Sequence, residues 1–394
     1  MMDKQIYIEA VIVNHITYSF SGDRIISFFK QSFVSELTDQ LFLLVKKISD
    51  HTIDKTSIHR QILHYIDTCF IQRSQKSSCV YEVYDKEEIS QRLVSLTNMI
   101  QPKQKTIEWY QYRNNLITAS NMYKVFGSIA SQNSLIFEKC KIAETQEKSQ
   151  FPMTEHKPGG SAMHWGIKYE AISLLFYEKK YNTTVSEFGC LPHQTISHIG
   201  ASPDGINSKR DNPRYGRMLE IKNTVSREIT GIPKNEYWIQ MQIQMEVCDL
   251  YECDFMETKF NECSESEYYT REETKGIIIQ FTNPVTYRHS YHYLDIIMEK
   301  EQCEETNNYH REEIGRIVAE RQSGETGADI VTVIYYYLYT WSCVLVQRNK
   351  MWFMHSKPKI EQLWNTIQLE KKTGFSHRAP KPRKKIIVHY DGFN

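Results

Sequence analysis

The chain has 394 residues, a length for two or three domains, with 48 Lys plus Arg against 48 Asp plus Glu and 40% apolar residues, enough to bury an ordinary globular core. It has no unbroken run of eighteen apolar residues, and no basic N-terminal patch followed by a short greasy stretch, so neither a membrane span nor secretion is expected. A formal charge of zero excludes a protein that coats nucleic acid through bulk electrostatics, but not one that gathers positive charge in a single channel.

Residues 1–100 alternate apolar runs (Ile6 to Val13, Leu41 to Ile48, Ile62 to Ile71) with Ser, Asp and Lys, which predicts a small, mainly helical region. From Thr106 the texture changes. Trp109, Tyr110 and Leu116 come at helical spacing, and Ala119 to Phe126 reads as a short helix stopped by Gly127, with Thr118 or Ser120 as its cap. Behind Pro158-Gly159-Gly160, the spacing of Trp165, Tyr169, Ile172, Leu175 and Phe176 predicts a helix over 162–181. Strands are expected at Thr183 to Cys190, His198 to Ser202 and Arg217 to Lys222, with turns at Pro203-Asp204-Gly205 and Asp211-Asn212-Pro213. A helix over Asn235 to Cys248 follows, then strands at Tyr251 to Phe260 and Gly276 to Phe281. Helices at Tyr293 to Lys300 and Glu312 to Gln322, a sheet segment at Ile330 to Val346 and a helix at Ile360 to Leu369 complete the folded part. Lys381-Pro382-Arg383-Lys384-Lys385 reads as a basic, mobile tail. The central order of helix, three strands, helix and strand is that of an α/β (α+β) core with a mixed sheet. The nine cysteines are scattered without a CxxC pair, which fits a reducing, intracellular compartment and specifies neither disulfides nor a zinc site.

The residues best suited to chemistry are Asp204 and the triplet Glu220-Ile221-Lys222, preceded on a helix by Glu170. Phosphodiester hydrolysis needs a divalent cation near the scissile phosphate, an activated water and positive charge to balance the developing phosphorane. In a strand, Glu220 and Lys222 project to one face and Ile221 to the core, which leaves the Ile221 carbonyl able to face a metal. Asp204 follows Ser202-Pro203 at a tight bend, where a strand end is expected to leave its carboxylate exposed. Magnesium favours oxygen ligands and keeps several waters, so a sparse carboxylate set suffices. Alone, an acidic residue followed by ExK is weak, and a solvated strand edge is its commoner meaning.

The surroundings resemble the lambda-exonuclease and YqaJ-like viral recombinase family of the PD-(D/E)xK nuclease superfamily. The similar stretches are Trp109-Tyr110-Gln111-Tyr112-Arg113 with Leu116-Ile117-Thr118-Ala119-Ser120; Ala162-Met163-His164-Trp165-Gly166-Ile167-Lys168-Tyr169-Glu170; Ala201-Ser202-Pro203-Asp204-Gly205; Leu219-Glu220-Ile221-Lys222; and Tyr237-Trp238-Ile239-Gln240-Met241-Gln242. They keep the family's order over roughly residues 106–260.

The resemblance implies a restriction-endonuclease-like core over 101–285 with a mixed central sheet flanked by helices. Residues 1–100 and 286–372 are then extra, mainly helical regions with some strand, and 373–394 a tail. It implies a 5′-to-3′ exonuclease on linear double-stranded DNA in viral recombination, replication or repair, using two magnesium ions for which manganese can substitute. Asp204, Glu220, the Ile221 carbonyl and Glu170 would hold the metals. Lys222 would position and deprotonate water or balance charge, and Gln240 would polarise the site. Arg113 with Ser120 and Ser202 would seat a 5′-phosphate, which suits a guanidinium fork. The implied partners are DNA with 5′-phosphorylated ends, a single-strand annealing protein and further copies of the chain, in host cytoplasm or nucleus. A structure-specific endonuclease with the same metal site, and a non-catalytic DNA-binding recombination factor, are the competing readings.

Other features are expected to be structural. His164 is expected to pack or face substrate, and His193 and His198 lack cysteine partners. Trp165 and Tyr169 should pack their helix, and the stripe Tyr335-Tyr336-Tyr337-Tyr339-Trp341 should lie in a buried sheet.

Overall fold

A computed structural model describes residues 33–48, 54–60, 62, 74–76, 85–99, 101, 106–145, 162–287, 289–299, 303–323 and 329–380. The Pro158-Gly159-Gly160 segment, the Ile6 to Val13 run and the basic cluster after Pro380 lie outside them.

In chain order the named helices are α1 (Phe33–Ile48), α2 (Lys86–Asn98), α3 (Ile107–Asn114), α4 (Ala119–Met122), α5 (Ile129–Thr145), α6 (Ala162–Tyr181), α7 (Asn235–Cys248), α8 (Glu265–Thr270), α9 (Glu304–Ser323) and α10 (Lys350–Thr373). The strands are β1 (Gln75–Lys76), β2 (Ile117–Thr118), β3 (Val185–Ser186), β4 (Leu191–Pro192), β5 (Ile199–Ala201), β6 (Gly205–Asn207), β7 (Met218–Asn223), β8 (Glu252–Cys263), β9 (Lys275–Thr282), β10 (His289–Tyr293) and β11 (Ile330–Gln347).

The main sheet has eight strands among the described residues, in the order β10-β9-β11-β8-β7-β6-β3, with β1 added beside β11. β7 and β8 run parallel and the other pairs antiparallel, so the expected mixed sheet flanked by helices is present. A small sheet, β2-β5-β4, stands beside it. Because β1 pairs Gln75 with Leu345 and Lys76 with Val344, the region before residue 100 gives the main sheet a strand as well as helices.

Two apolar layers hold the sheet. On one face α7 is buried almost all round (Trp238, Ile239, Met241, Ile243, Met245 and Val247 are each 1% exposed or less), as expected for a helix apolar on every side. It ends at Asp249, whose left-handed conformation (φ 52°) lets its N–H close on the carbonyls of Met245 and Glu246. On the other face α6 contributes Tyr169, Ile172, Phe176 and Tyr177; Tyr169 stacks on Phe260 with ring centroids 4.8 Å apart. Burying a side chain of this size stabilises the fold by about 2–3 kcal/mol.

The parallel pairing of β7 and β8 is pinned by buried charges. Arg217 donates to Glu252 at 2.9 Å and to Asp254 at 3.1 Å, Arg214 also pairs with Asp254, and the Tyr177 hydroxyl donates to Asp254 at 2.7 Å. Removing one member would strand a buried charge, at a cost of about 3–5 kcal/mol.

Three expectations need correction. The described part of the expected Tyr293 to Lys300 helix is not α-helical: Tyr293 to Met298 is extended. Tyr293 ends β10, and the chain beyond it pairs with β9 through Leu294 N to Ile277 O (3.1 Å) and reciprocal bonds between Lys275 and Ile297 (3.0 and 2.9 Å), so an available sheet edge overrides a helix-like local pattern. The aromatic stripe is only partly buried: Tyr336 is 0% exposed, but Tyr339 is 60% exposed at an irregularity between Leu338 and Thr340. The span Thr183 to Cys190 holds only the two-residue β3.

Candidate active site

Asp204 lies where the chain crosses from the small sheet to the main one, between β5 and β6. The crossing is tight. A Cβ on Gly205 would come within 2.1 Å of Val185 Cγ1, so only glycine lets β6 lie against β3. Asp204 is half-buried, not exposed as the bend suggested, and its Oδ2 accepts from the Ile221 N–H at 2.7 Å. That bond fixes the acidic turn to the middle of β7.

Glu220 is fully buried, and its carboxylate accepts from three side chains. Gln240 donates at 2.7 Å, Gln244 at 2.7 Å to the second oxygen, and Lys222 forms an ion pair with the first. The strand period gives this geometry, since Glu220 and Lys222 share a face while Ile221, 6% exposed, enters the opposite apolar layer. The helix period supplies the other half: Gln240 and Gln244 are four apart on α7, so both amides reach down to one carboxylate.

Gln244 was missed by sequence reasoning. The Gln240-Met241-Gln242 pattern draws attention to Gln242, but that side chain faces elsewhere, donating to the Gln347 carbonyl at 2.9 Å and accepting from the Asn349 N–H at 2.6 Å.

These charges perturb one another. Burial pushes the Asp204 carboxyl well above the usual carboxylate range; Glu220 and Glu170 push it further, and Lys222 opposes them. For Lys222 burial pulls the ammonium down, but Glu220 and Asp204 outweigh it, and the net shift is upward. Burial, and then Glu170 beside it, pushes the Tyr293 hydroxyl up to about 12. Positions 170, 204, 220 and 222 therefore belong to one electrostatic cluster.

A cavity of about 190 Å³ opens onto this cluster, lined by Trp109, Arg113, Thr118, Ala119, Ser120, Glu170, Ser202, Asp204 and Gln240. Its far end is built by α3, whose Thr106 cap accepts from the Trp109 N–H at 3.2 Å. From the last turn of α3 the Arg113 guanidinium lies over the Trp109 ring at 4.2 Å and donates to Ser202 Oγ at 3.3 Å and Ser120 Oγ at 3.4 Å. Thr118 occupies the cap position of α4, yet its hydroxyl makes no cap bond and instead meets Ser120 Oγ at 3.3 Å. The structure thus brings Arg113, Ser120 and Ser202 together with Glu170, Asp204 and Gln240 in one cavity. A larger concavity of about 720 Å³ around Glu267, Arg271 and Glu273 contains none of them.

The histidines and aromatics set aside in the sequence lie elsewhere. His164 meets the Tyr291 hydroxyl at 2.9 Å, His198 stacks on Trp364 and His193 on Phe353. Among the described residues no three His, Cys, Asp or Glu side chains are grouped as a metal site, and Glu220 is turned toward Lys222 and the two amides. No helix among them is long and apolar enough to cross a membrane.

The chain is similar to several known proteins. It is 27% identical over 340 residues to an uncharacterized protein of Acanthamoeba polyphaga mimivirus, an alignment covering 75% of this chain and 58% of that relative's length. Among solved structures it is similar to an alkaline exonuclease from Laribacter hongkongensis (18% identity, TM-score 0.40, 68% of this chain and 95% of that one). It is also similar to a phage related exonuclease from Haemophilus somnus (14% identity, TM-score 0.32, 66% and 96%). Residues 108–251, which supply every residue lining the cavity, match the family model of the YqaJ-like viral recombinase domain.

Proposed function

We propose that the chain is a magnesium-dependent deoxyribonuclease that degrades linear double-stranded DNA from its 5′ ends during viral recombination, replication or repair. The observation that carries this reading is the single cavity in which a guanidinium flanked by two hydroxyls faces a carboxylate cluster. A guanidinium fork with hydroxyls is chemistry for a phosphate; buried carboxylates beside a lysine are chemistry for breaking a phosphodiester.

The donor set fits a hard divalent cation. Asp204 and Glu220 offer oxygens whose burial and mutual repulsion, which together raise the Asp204 carboxyl, a cation would offset, with Glu170 and the Ile221 carbonyl completing the set. Bound there, magnesium supplies Lewis acidity to the scissile phosphate and lowers the pKa of water. The remaining work falls to the chain. Arg113, Ser120 and Ser202 seat the terminal phosphate, which places the strand so that cleavage falls a set distance from the end. Gln240 and Gln244 hold Glu220 in its rotamer, and Glu170 orients the attacking water. Lys222 has a raised pKa and is an ammonium, so it balances charge on the phosphate under attack; accepting a proton would first require it to give one up, which its ion pair with Glu220 opposes. The single strand left by such resection is the substrate of a strand-annealing partner.

The test is to incubate the protein and magnesium with 5′-phosphorylated linear duplex and, separately, with covalently closed circular DNA, beside Asp204→Ala. Nucleotide release from linear DNA by the parent alone is expected. Cutting of closed circles would replace this reading by a structure-specific endonuclease. Equal behaviour of parent and variant would place the chemistry elsewhere, and no cleavage by either would favour a non-catalytic DNA-binding factor.

A further inference from the structure

Behind the Arg113 end of the cavity lies a charge that the reading above does not use. Lys139, on α5, is 3% exposed and does not line the cavity; its Nζ donates to the main-chain oxygen of Arg113 at 3.0 Å. The partner of this ammonium is a carbonyl. The neighbouring carboxylate, Glu138, is turned to Lys124 (2.9 Å) and Asn121 (3.1 Å) instead.

Burying an ammonium against a carbonyl is costly, and a methionine or leucine would fill the space at less expense. The position has two electrostatic consequences. The cation sits at the C-terminal end of α3, where it is favoured by the helix dipole and fixes the carbonyl of the residue whose side chain forms the anchor. It also adds positive charge behind the guanidinium where little water screens it. The buried Cys190 thiol lies in the same region and feels Arg113, Ser202 and Lys139.

We propose that Lys139 is a positioning residue for the anchor, holding the last turn of α3 so that Arg113 discriminates a terminal phosphate from a terminal hydroxyl. This rests on the assignment of Arg113, Ser120 and Ser202 to the 5′-phosphate. The groups around Lys139 are Arg113 on α3, Lys124 after α4, Glu138 on its own helix and Lys371 on α10. Burial draws its ammonium down to about 8, so it carries its charge at neutral pH and loses it in alkali.

The test uses the full chain in EDTA, so that nothing is cut, and measures by fluorescence anisotropy the affinity for a short duplex ending in 5′-phosphate or 5′-hydroxyl, at pH 7 and pH 9.5. The parent is expected to favour phosphate about tenfold at pH 7 and less at pH 9.5. Lys139→Met should cut the preference to about threefold or less at both pH values, leave hydroxyl-end affinity unchanged, and melt no lower than the parent. Lys139→Arg should restore the preference. A Lys139→Met ratio equal to the parent's, or a parallel loss for both ends, would overturn the positioning role. If the parent shows no preference and Arg113→Ala changes nothing, the phosphate-anchor assignment itself fails and takes this inference with it.

Discussion

The two ends of the cavity are built on opposite principles. At the carboxylate end the polar groups bond closely to one another: the fully buried Glu220 accepts from Lys222, Gln240 and Gln244, and the half-buried Asp204 from a main-chain N–H at 2.7 Å. At the guanidinium end the contacts are long, 3.3 and 3.4 Å, and Ser120 is exposed. A closely bonded cluster around a buried carboxylate is rigid and tolerates little loss, whereas a loosely bonded donor set yields its hydrogen bonds to an incoming anion. Preorganisation is concentrated at one end of the cavity and adaptability at the other.

The strongest challenge to this contrast is Glu220→Gln, which keeps the shape but removes the charge that Lys222 and the two amides converge on. Activity on linear duplex is expected to fall by about 10³-fold or more with the fold retained, as judged by circular dichroism; a fall of less than tenfold would mean that the carboxylate end is only structural. Next comes Gln244→Leu. It leaves Glu220 with one amide and should lower kcat by roughly 10–100-fold, the worth of one hydrogen bond to a charged group.

A smaller effect is expected behind the adaptable end. Lys139 has its pKa lowered to about 8 in the folded chain, so between there and the ordinary lysine value the unfolded chain binds the extra proton and stability rises with pH. Lys139→Met should therefore be the more stable protein at pH 7 by roughly 2 kcal/mol, the gap narrowing as pH rises from 8 to 10. Denaturant melts across that range check it, and a gap independent of pH would show that burial does not lower the pKa of this ammonium in the folded chain. The smallest effect is that of Arg113→Ala, expected to cost about tenfold in kcat/KM on 5′-phosphorylated ends and little on 5′-hydroxyl ends. An equal loss on both would make Arg113 a packing residue and erase the contrast.

Much of the carboxylate end was legible because it obeys local periods. Glu220 and Lys222 face one way and Ile221 the other by the alternation of a strand, and Asp204 was picked out by its turn. What escaped depends on contacts made at a distance. The burial of Asp204 comes from the meeting of two sheets, which no turn motif reports. Gln244 sits one helical turn beyond Gln240, a spacing open to inspection but overshadowed by Gln242. The helix α5 was not predicted, although Leu135, Ile136, Lys139 and Cys140 fall on one buried stripe; a lysine in that stripe disguises it as a solvated face. The strand β10 and its continuation were hidden for the reverse reason, since their pairing with β9 is decided by an available edge and not by their own residues.

Ser202 and Asp204 are separated by one residue, Pro203, whose ring restricts the main chain. On the proposed reading one hydroxyl would serve the anchoring end and one carboxylate the hydrolytic end, so about 7 Å of stiff backbone would act as a ruler between grip and cut. On the proposed reading the stride of the enzyme along DNA is written into a single tripeptide. Lengthening that tripeptide by one glycine would change the size of the released product before it changed the chemistry.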